Sequence, residues 1–313
     1  MRDSLPLDVL DLILCSLPDL YTLSSVIKVS KCLYGVFKDR AKTIRIAVAR
    51  NEVGPALLQA VRLSIVQSRL EKEDFSDRGG FEDFCDIVDQ LPSEAEVDVG
   101  RALEDWDCAR CISRNASFTK NIELFYSRIH QDPATTCSAL SFAQSLRFTR
   151  ALYRFWTYWS IYSDRWDEEL NWMDDDDAYD DVLSWDEWAE RLRELQRAFL
   201  LDTISDKAEK QEFCAIISFL RSELGPWISS NRNGTIHAPA YPEIYDIPLI
   251  AEFLAAHRLH EPVSPDIRLA ICLCSRTQSI ELAEGAYQVL DLGHVPHNLE
   301  FQREVILKDY QWG

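Results

Sequence analysis

Apolar residues in this chain recur at spacings of three and four, and alternation at a spacing of two is nearly absent. A helix turns once in about 3.6 residues, whereas a strand alternates every two, so this periodicity writes helices with one apolar face. Val9, Leu10, Ile13, Leu14 and Leu17 form one such stripe. Leu20, Leu23, Val26, Ile27 and Val29 form a second, and Leu33, Tyr34 and Phe37 a third. Turn formers are sparse, with 10 Gly and 12 Pro in 313 residues, which favours long helices and short connections. The expected fold is all-α.

Punctuation residues divide the pattern. Ser4 and Pro6 open the first helix, with Ser4 placed to cap and Pro6 near its first position. Leu17-Pro18-Asp19 ends it, Asp19 is placed to cap the second helix, and Ser30 the third, which runs to about Arg50. Gly54-Pro55 breaks the chain before a helix to Leu70, and polar residues 71–80 read as a loop. A helix over 81–91 stops at Leu91-Pro92. Ser93 with Glu96 fits a capping box, and helix follows in pieces to His130. Further helices are expected over 138–166 and, after a second box at Ser184 and Glu187, from Trp185 to Leu224 with a bend at Asp202 to Asp206. Residues 225–247 hold three Pro and an Asn-Gly pair, an irregular connection. These breaks suggest three units: 1–50, 51–230 and a helical subdomain over 248–313.

The formal net charge of −19 is concentrated. Residues 164–190 hold 13 Asp and Glu against one Arg. A chain this anionic repels phosphate backbones and anionic lipid surfaces, so neither nucleic acid nor membrane is expected as a partner. Within that stretch, residues 167–183 lack periodicity and read as a solvated acidic loop. Nine cysteines without framework spacing, behind an N-terminus without a signal-peptide pattern, fit reduced thiols in the cytoplasm or nucleus.

The first 40 residues carry a specific motif: Leu5-Pro6, Asp8, Val9-Leu10 with Ile13-Leu14, Leu17-Pro18, then Val29-Ser30-Lys31. Their order and spacing resemble the F-box, with Leu33-Tyr34-Gly35 where the family often has a Trp. Continuation through Asn51 to Pro55 and Leu146 to Trp159 is similar to fungal F-box proteins with long helical C-terminal regions. The resemblance implies a three-helix F-box packed on a larger, irregular helical array. It implies a partner, a Skp-family adaptor protein, and through it a cullin scaffold and a ubiquitin ligase complex. The contact candidates it transfers are Leu5, Pro6, Val9, Leu10, Ile13, Leu17, Pro18, Leu20, Leu23, Val29 and Leu33. The region beyond residue 50 would select a protein substrate. An F-box protein acting outside ubiquitination, a helical scaffold and, more remotely, a helical enzyme are the alternatives.

Other signals have plain structural readings. Cys108 and Cys111 form a lone CxxC, short of the four ligands of a structural zinc site, and on a helix they share one face. His257/His260 and His294/His297 pair at helical spacing without an accompanying glutamate motif. Asp174, Asp175, Asp176 and Asp177 lack the glycine of a calcium loop, and a basic partner segment is the sharper reading for them. In the aromatic run from Phe148 to Trp166, Phe148, Leu152, Phe155, Trp159, Tyr162 and Trp166 follow one helix face and are expected in the core. Trp156, Tyr158, Trp172 and Trp185 fall off that face and are candidate partner anchors. No P-loop, nucleophile elbow or glycine-rich nucleotide loop is present, so no cofactor and no catalytic role are expected.

Overall fold

A computed structural model describes residues 5–70, 81–130, 140–162, 185–204, 206–220 and 306. Among these residues the chain is helical, with no strand. The elements are α1 (Leu7–Cys15), α2 (Leu20–Val29), α3 (Lys31–Val53), α4 (Leu57–Leu70), α5 (Phe81–Asp89), a 3-10 turn (Glu94–Glu96), α6 (Val99–Ala102), α7 (Trp106–His130), α8 (Phe142–Tyr162), α9 (Trp185–Thr203) and α10 (Lys207–Phe219). The expected subdomain over 248–313, the connection at 225–247, the acidic stretch 167–183, loop 71–80 and the Ser184 cap lie outside the described residues, Ile306 excepted. No helix among the described residues is long and apolar enough to cross a membrane.

Local chemistry sets most boundaries. Asp19 caps α2, accepting from the Thr22 N–H at 2.6 Å, and Ser30 caps α3 through the Leu33 N–H. The first cap differs from expectation: Pro6 itself occupies the N-cap position of α1, where it brings no side-chain acceptor. α3 ends at Gly54, whose φ of 85° is a left-handed conformation that glycine adopts without Cβ strain. Inside α3, Arg40 has non-helical angles (φ −130°, ψ 27°), so two helical segments meet at a bend. The Ser93/Glu96 box forms, with the Glu96 carboxylate accepting from the Ser93 N–H and hydroxyl, both at 2.9 Å, and it opens a single 3-10 turn. Near the expected bend α9 ends at Thr203 and α10 begins at Lys207, where Asp206 caps α10 by accepting from the Glu209 N–H.

The packing is organised by two central helices. α1 and α2 both pack on α3. α4, α7, α9 and α10 all pack on α8, and α7 also contacts α2, α3 and α4. One apolar core runs from Leu10 and Leu14 through Ile44, Val61, Ile112 and Phe148 to Phe219 and Ile306. The boundary expected near residue 50 falls inside the last turn of α3, and the core continues across it.

A candidate docking face on the N-terminal helices

The corner between α1 and α2 is held by two adjacent residues at the end of α3. The Asn51 side-chain amide donates to the carbonyls of Cys15 and Leu17, each at 2.9 Å. These are orphan acceptors at a helix end, which need an external donor. Glu52, next in sequence, accepts from the Leu20 N–H at 3.0 Å and from the Ser113 hydroxyl of α7 at 2.9 Å. One carboxylate thus ties α2, α3 and α7 together. Burial pushes its pKa above the ordinary value, against the pull of the hydrogen bonds from Leu20 and Ser113. Arg40 completes the frame with an ion pair to Asp11 of α1 at 2.5 Å.

Within this frame α1 is apolar on both sides. Leu10 and Leu14, four residues apart, are buried against α3 and its neighbours. Val9, Leu12 and Ile13 are exposed, and helical spacing gathers them into one outward stripe, with Leu5, also exposed, just ahead of the helix. Leu12 leaves 66% of its surface in solvent and Ile13 42%. Leu7, at the helix start, is exposed too. On the following helices Tyr21, Val29 and Tyr34 are exposed, Val29 by 83%. Isolated apolar residues on a surface are ordinary, whereas a stripe of three on one short helix, with Leu5 and Leu7 exposed beside it, is not.

The transferred contact residues therefore divide. Leu5, Pro6, Val9, Ile13, Pro18 and Val29 are exposed, and Leu17 and Leu33 are half-buried. Leu10, Leu20 and Leu23 are core residues, a correction to the single apolar stripe read from the sequence. α1 is wider in apolar character than one face requires, so spacing alone did not say which residues turn inward. Leu7, Leu12, Tyr21 and Tyr34 are the exposed members missed among the candidates. Helical spacing alone carried no signal that singled them out.

The aromatic candidates take a different place. Trp156 and Tyr158 are buried, at 2% and 1% exposure, and do not serve as surface anchors. α8 is surrounded, so each of its sides finds an aromatic partner. Phe118 of α7 meets Trp156, Phe199 of α9 meets Tyr158, and Phe213 of α10 meets both Phe155 and Tyr158. A helix enclosed on several sides buries aromatic residues beyond a single apolar face. Trp166, Trp172 and Asp174 to Asp177 lie outside the described residues; Trp185 opens α9, but its side chain is not described.

A row of arginines on α8 escaped the sequence reading. Arg147, Arg150 and Arg154 recur at three and four positions along one side. Arg154 grips Glu94 with two hydrogen bonds, at 2.7 and 2.9 Å, and reaches Glu209 at 3.2 Å. Arg150 bonds Glu209 and Glu212 of α10. Burial raises the Glu94 pKa, but hydrogen bonding and charge from Arg154 outweigh it and leave the carboxyl below its ordinary value. For Glu212 burial dominates and the value lies above the ordinary one despite Arg150. Arg62 of α4 donates to Thr203 at 2.8 Å and to the Pro92 carbonyl at 2.9 Å, with its guanidinium 4.7 Å from the Phe199 ring centre. These groups saturate one another and join α4, α8, α9 and α10.

Cys108 is buried and Cys111 half-buried on α7, where the Cys111 thiol donates to Gln67 at 3.3 Å. No group of three or more His, Cys, Asp or Glu side chains that could hold a metal occurs among the described residues. No family model, no curated protein and no solved structure matches this chain.

Proposed function

We propose that this chain is a non-catalytic adaptor whose N-terminal helices dock a Skp-family protein, linking through it to a cullin scaffold and a ubiquitin ligase. The observation that carries the reading is the outward apolar stripe of α1, Val9, Leu12 and Ile13, with exposed Leu5 ahead of it, in a segment whose sequence resembles the F-box. An amphipathic partner groove would cover this stripe as helix-in-groove interfaces do. Each such side chain taken fully from water contributes about 1.5 to 3 kcal/mol. The frame supports the same role, since Asn51 and Glu52 fix the α1–α2 corner and reduce the ordering cost of binding.

The helical array beyond α3 would hold a protein target near the ubiquitin carrier, supplying proximity while other subunits supply the chemistry. Its identity as a target platform rests on the resemblance. Co-expression and pull-down with a Skp adaptor tests the docking. Wild type should co-purify with it, and Leu12→Asp with Ile13→Asp should not, with helicity unchanged by circular dichroism. These two exposed positions avoid the core damage that a charge at Leu10 would cause. A wild-type chain that is folded and leaves the adaptor unbound would sink the proposal.

A further inference from the structure

Arg147 of α8 is buried, and its Nε and one terminal nitrogen both donate to the main-chain carbonyl of Ile306, at 2.9 and 2.7 Å. Ile306 is itself fully buried and belongs to the same core as α7, α8 and α10. The two residues stand 159 positions apart. A guanidinium fork directed at one carbonyl fixes backbone position, while the isoleucine side chain supplies apolar burial. The charge of Arg147 is felt at Glu212 of α10, so the contact lies beside the seam between α8 and α10.

We infer that Ile306 and Arg147 form a clasp on the helical array, so that packing at the α8–α10 seam depends on a residue remote in sequence. A contact at this separation carries a large loop-closure cost before it contributes anything, so it forms after the local helices. The clasp makes the array a unit whose order is completed by docking at residue 306. This inference is independent of the adaptor reading, which concerns α1.

Hydrogen exchange on the full chain tests it. Arg147→Met and Ile306→Ala should each accelerate exchange of α8 and α10 amides by about tenfold or more, as loss of a charge-assisted hydrogen bond or of a buried side chain does. Amides of α1 and α2 should be unchanged. Ile306→Ala keeps the carbonyl that Arg147 binds but removes the buried side chain that anchors it, so either loss undocks residue 306 and the double variant should fall well short of the product of the two single effects. Arg147→Lys, which keeps the charge but loses the fork, should lie between. Unchanged exchange in either single variant, or effects that multiply as for independent sites, would overturn the clasp. If Arg147→Met fails to fold, the milder Ile306→Ala decides by the same readout.

Discussion

Replacing Glu52 should separate the value of its hydrogen bonds from the cost of its charge. The carboxylate is 8% exposed, accepts from Leu20 and Ser113, and joins three helices. Glu52→Ala strands a buried N–H at the start of α2 and a hydroxyl on α7. Each unsatisfied donor costs about 1 to 3 kcal/mol, partly offset by removing a desolvated charge, so the net loss should be about 2 to 4 kcal/mol. Glu52→Gln keeps an acceptor of the same reach without the charge and should stay within about 1 kcal/mol of wild type at neutral pH. The sign of the pH dependence follows from the raised pKa of Glu52. Because the folded value lies above the unfolded one, the contribution of Glu52 is fully present below the unfolded value. It is lost as pH rises through the folded value. The stability of wild type relative to Glu52→Gln should therefore improve as pH is lowered into the carboxylate range. Urea unfolding of the three proteins between pH 4 and 8 measures both effects. Equal losses for Ala and Gln, or a wild-type to Gln difference that is flat with pH, would refute this role for Glu52.

Further substitutions probe the rest of the frame. Leu14→Ala, at a fully buried site, should cost about 2 to 5 kcal/mol in urea unfolding. Leu12→Ala, two residues earlier and exposed, should change stability by no more than about 0.5 kcal/mol. Asp19→Ala removes the acceptor of the Thr22 N–H and should cost about 1 kcal/mol, read as a lower thermal midpoint. Arg154→Met takes from Glu94 its cationic partner and should cost about 3 to 5 kcal/mol near neutrality. Arg154 holds the Glu94 pKa low, so the stability that wild type draws from Glu94 is lost as pH falls through that folded value. The deficit of Arg154→Met should accordingly shrink on acidification.

What was legible in the sequence was what short-range chemistry decides. Asp19 and Ser30 cap where they stand because a side-chain oxygen needs only the amide three residues on. Gly54 ends α3 because it can take a positive φ, and Asp206 restarts the chain after the bend. The all-helical character followed from periodicity. The side of α1 that turns inward was not legible, because Leu, Val and Ile line the helix on both sides. Nor was the depth of α8: Trp156 and Tyr158 are buried because α4, α7, α9 and α10 enclose the helix, a property of packing at long range. The arginine row on α8 went unread because its carboxylate partners Glu94, Glu209 and Glu212 lie 55 or more positions away. The boundary near residue 50 was drawn at the Gly54-Pro55 break, while Glu52 and the continuous core bind the two sides together.

The most direct measurement is the affinity of the purified chain for a Skp-family adaptor by titration calorimetry, for wild type, Leu12→Ala, Ile13→Ala and Leu124→Ala. Leu124, exposed on α7, serves as the control outside the stripe. Docking through α1 is expected to give measurable wild-type binding, a weakening of about tenfold or more for Leu12→Ala and Ile13→Ala, and no change for Leu124→Ala. No binding by folded wild type, or equal affinities for all four proteins, would contradict it.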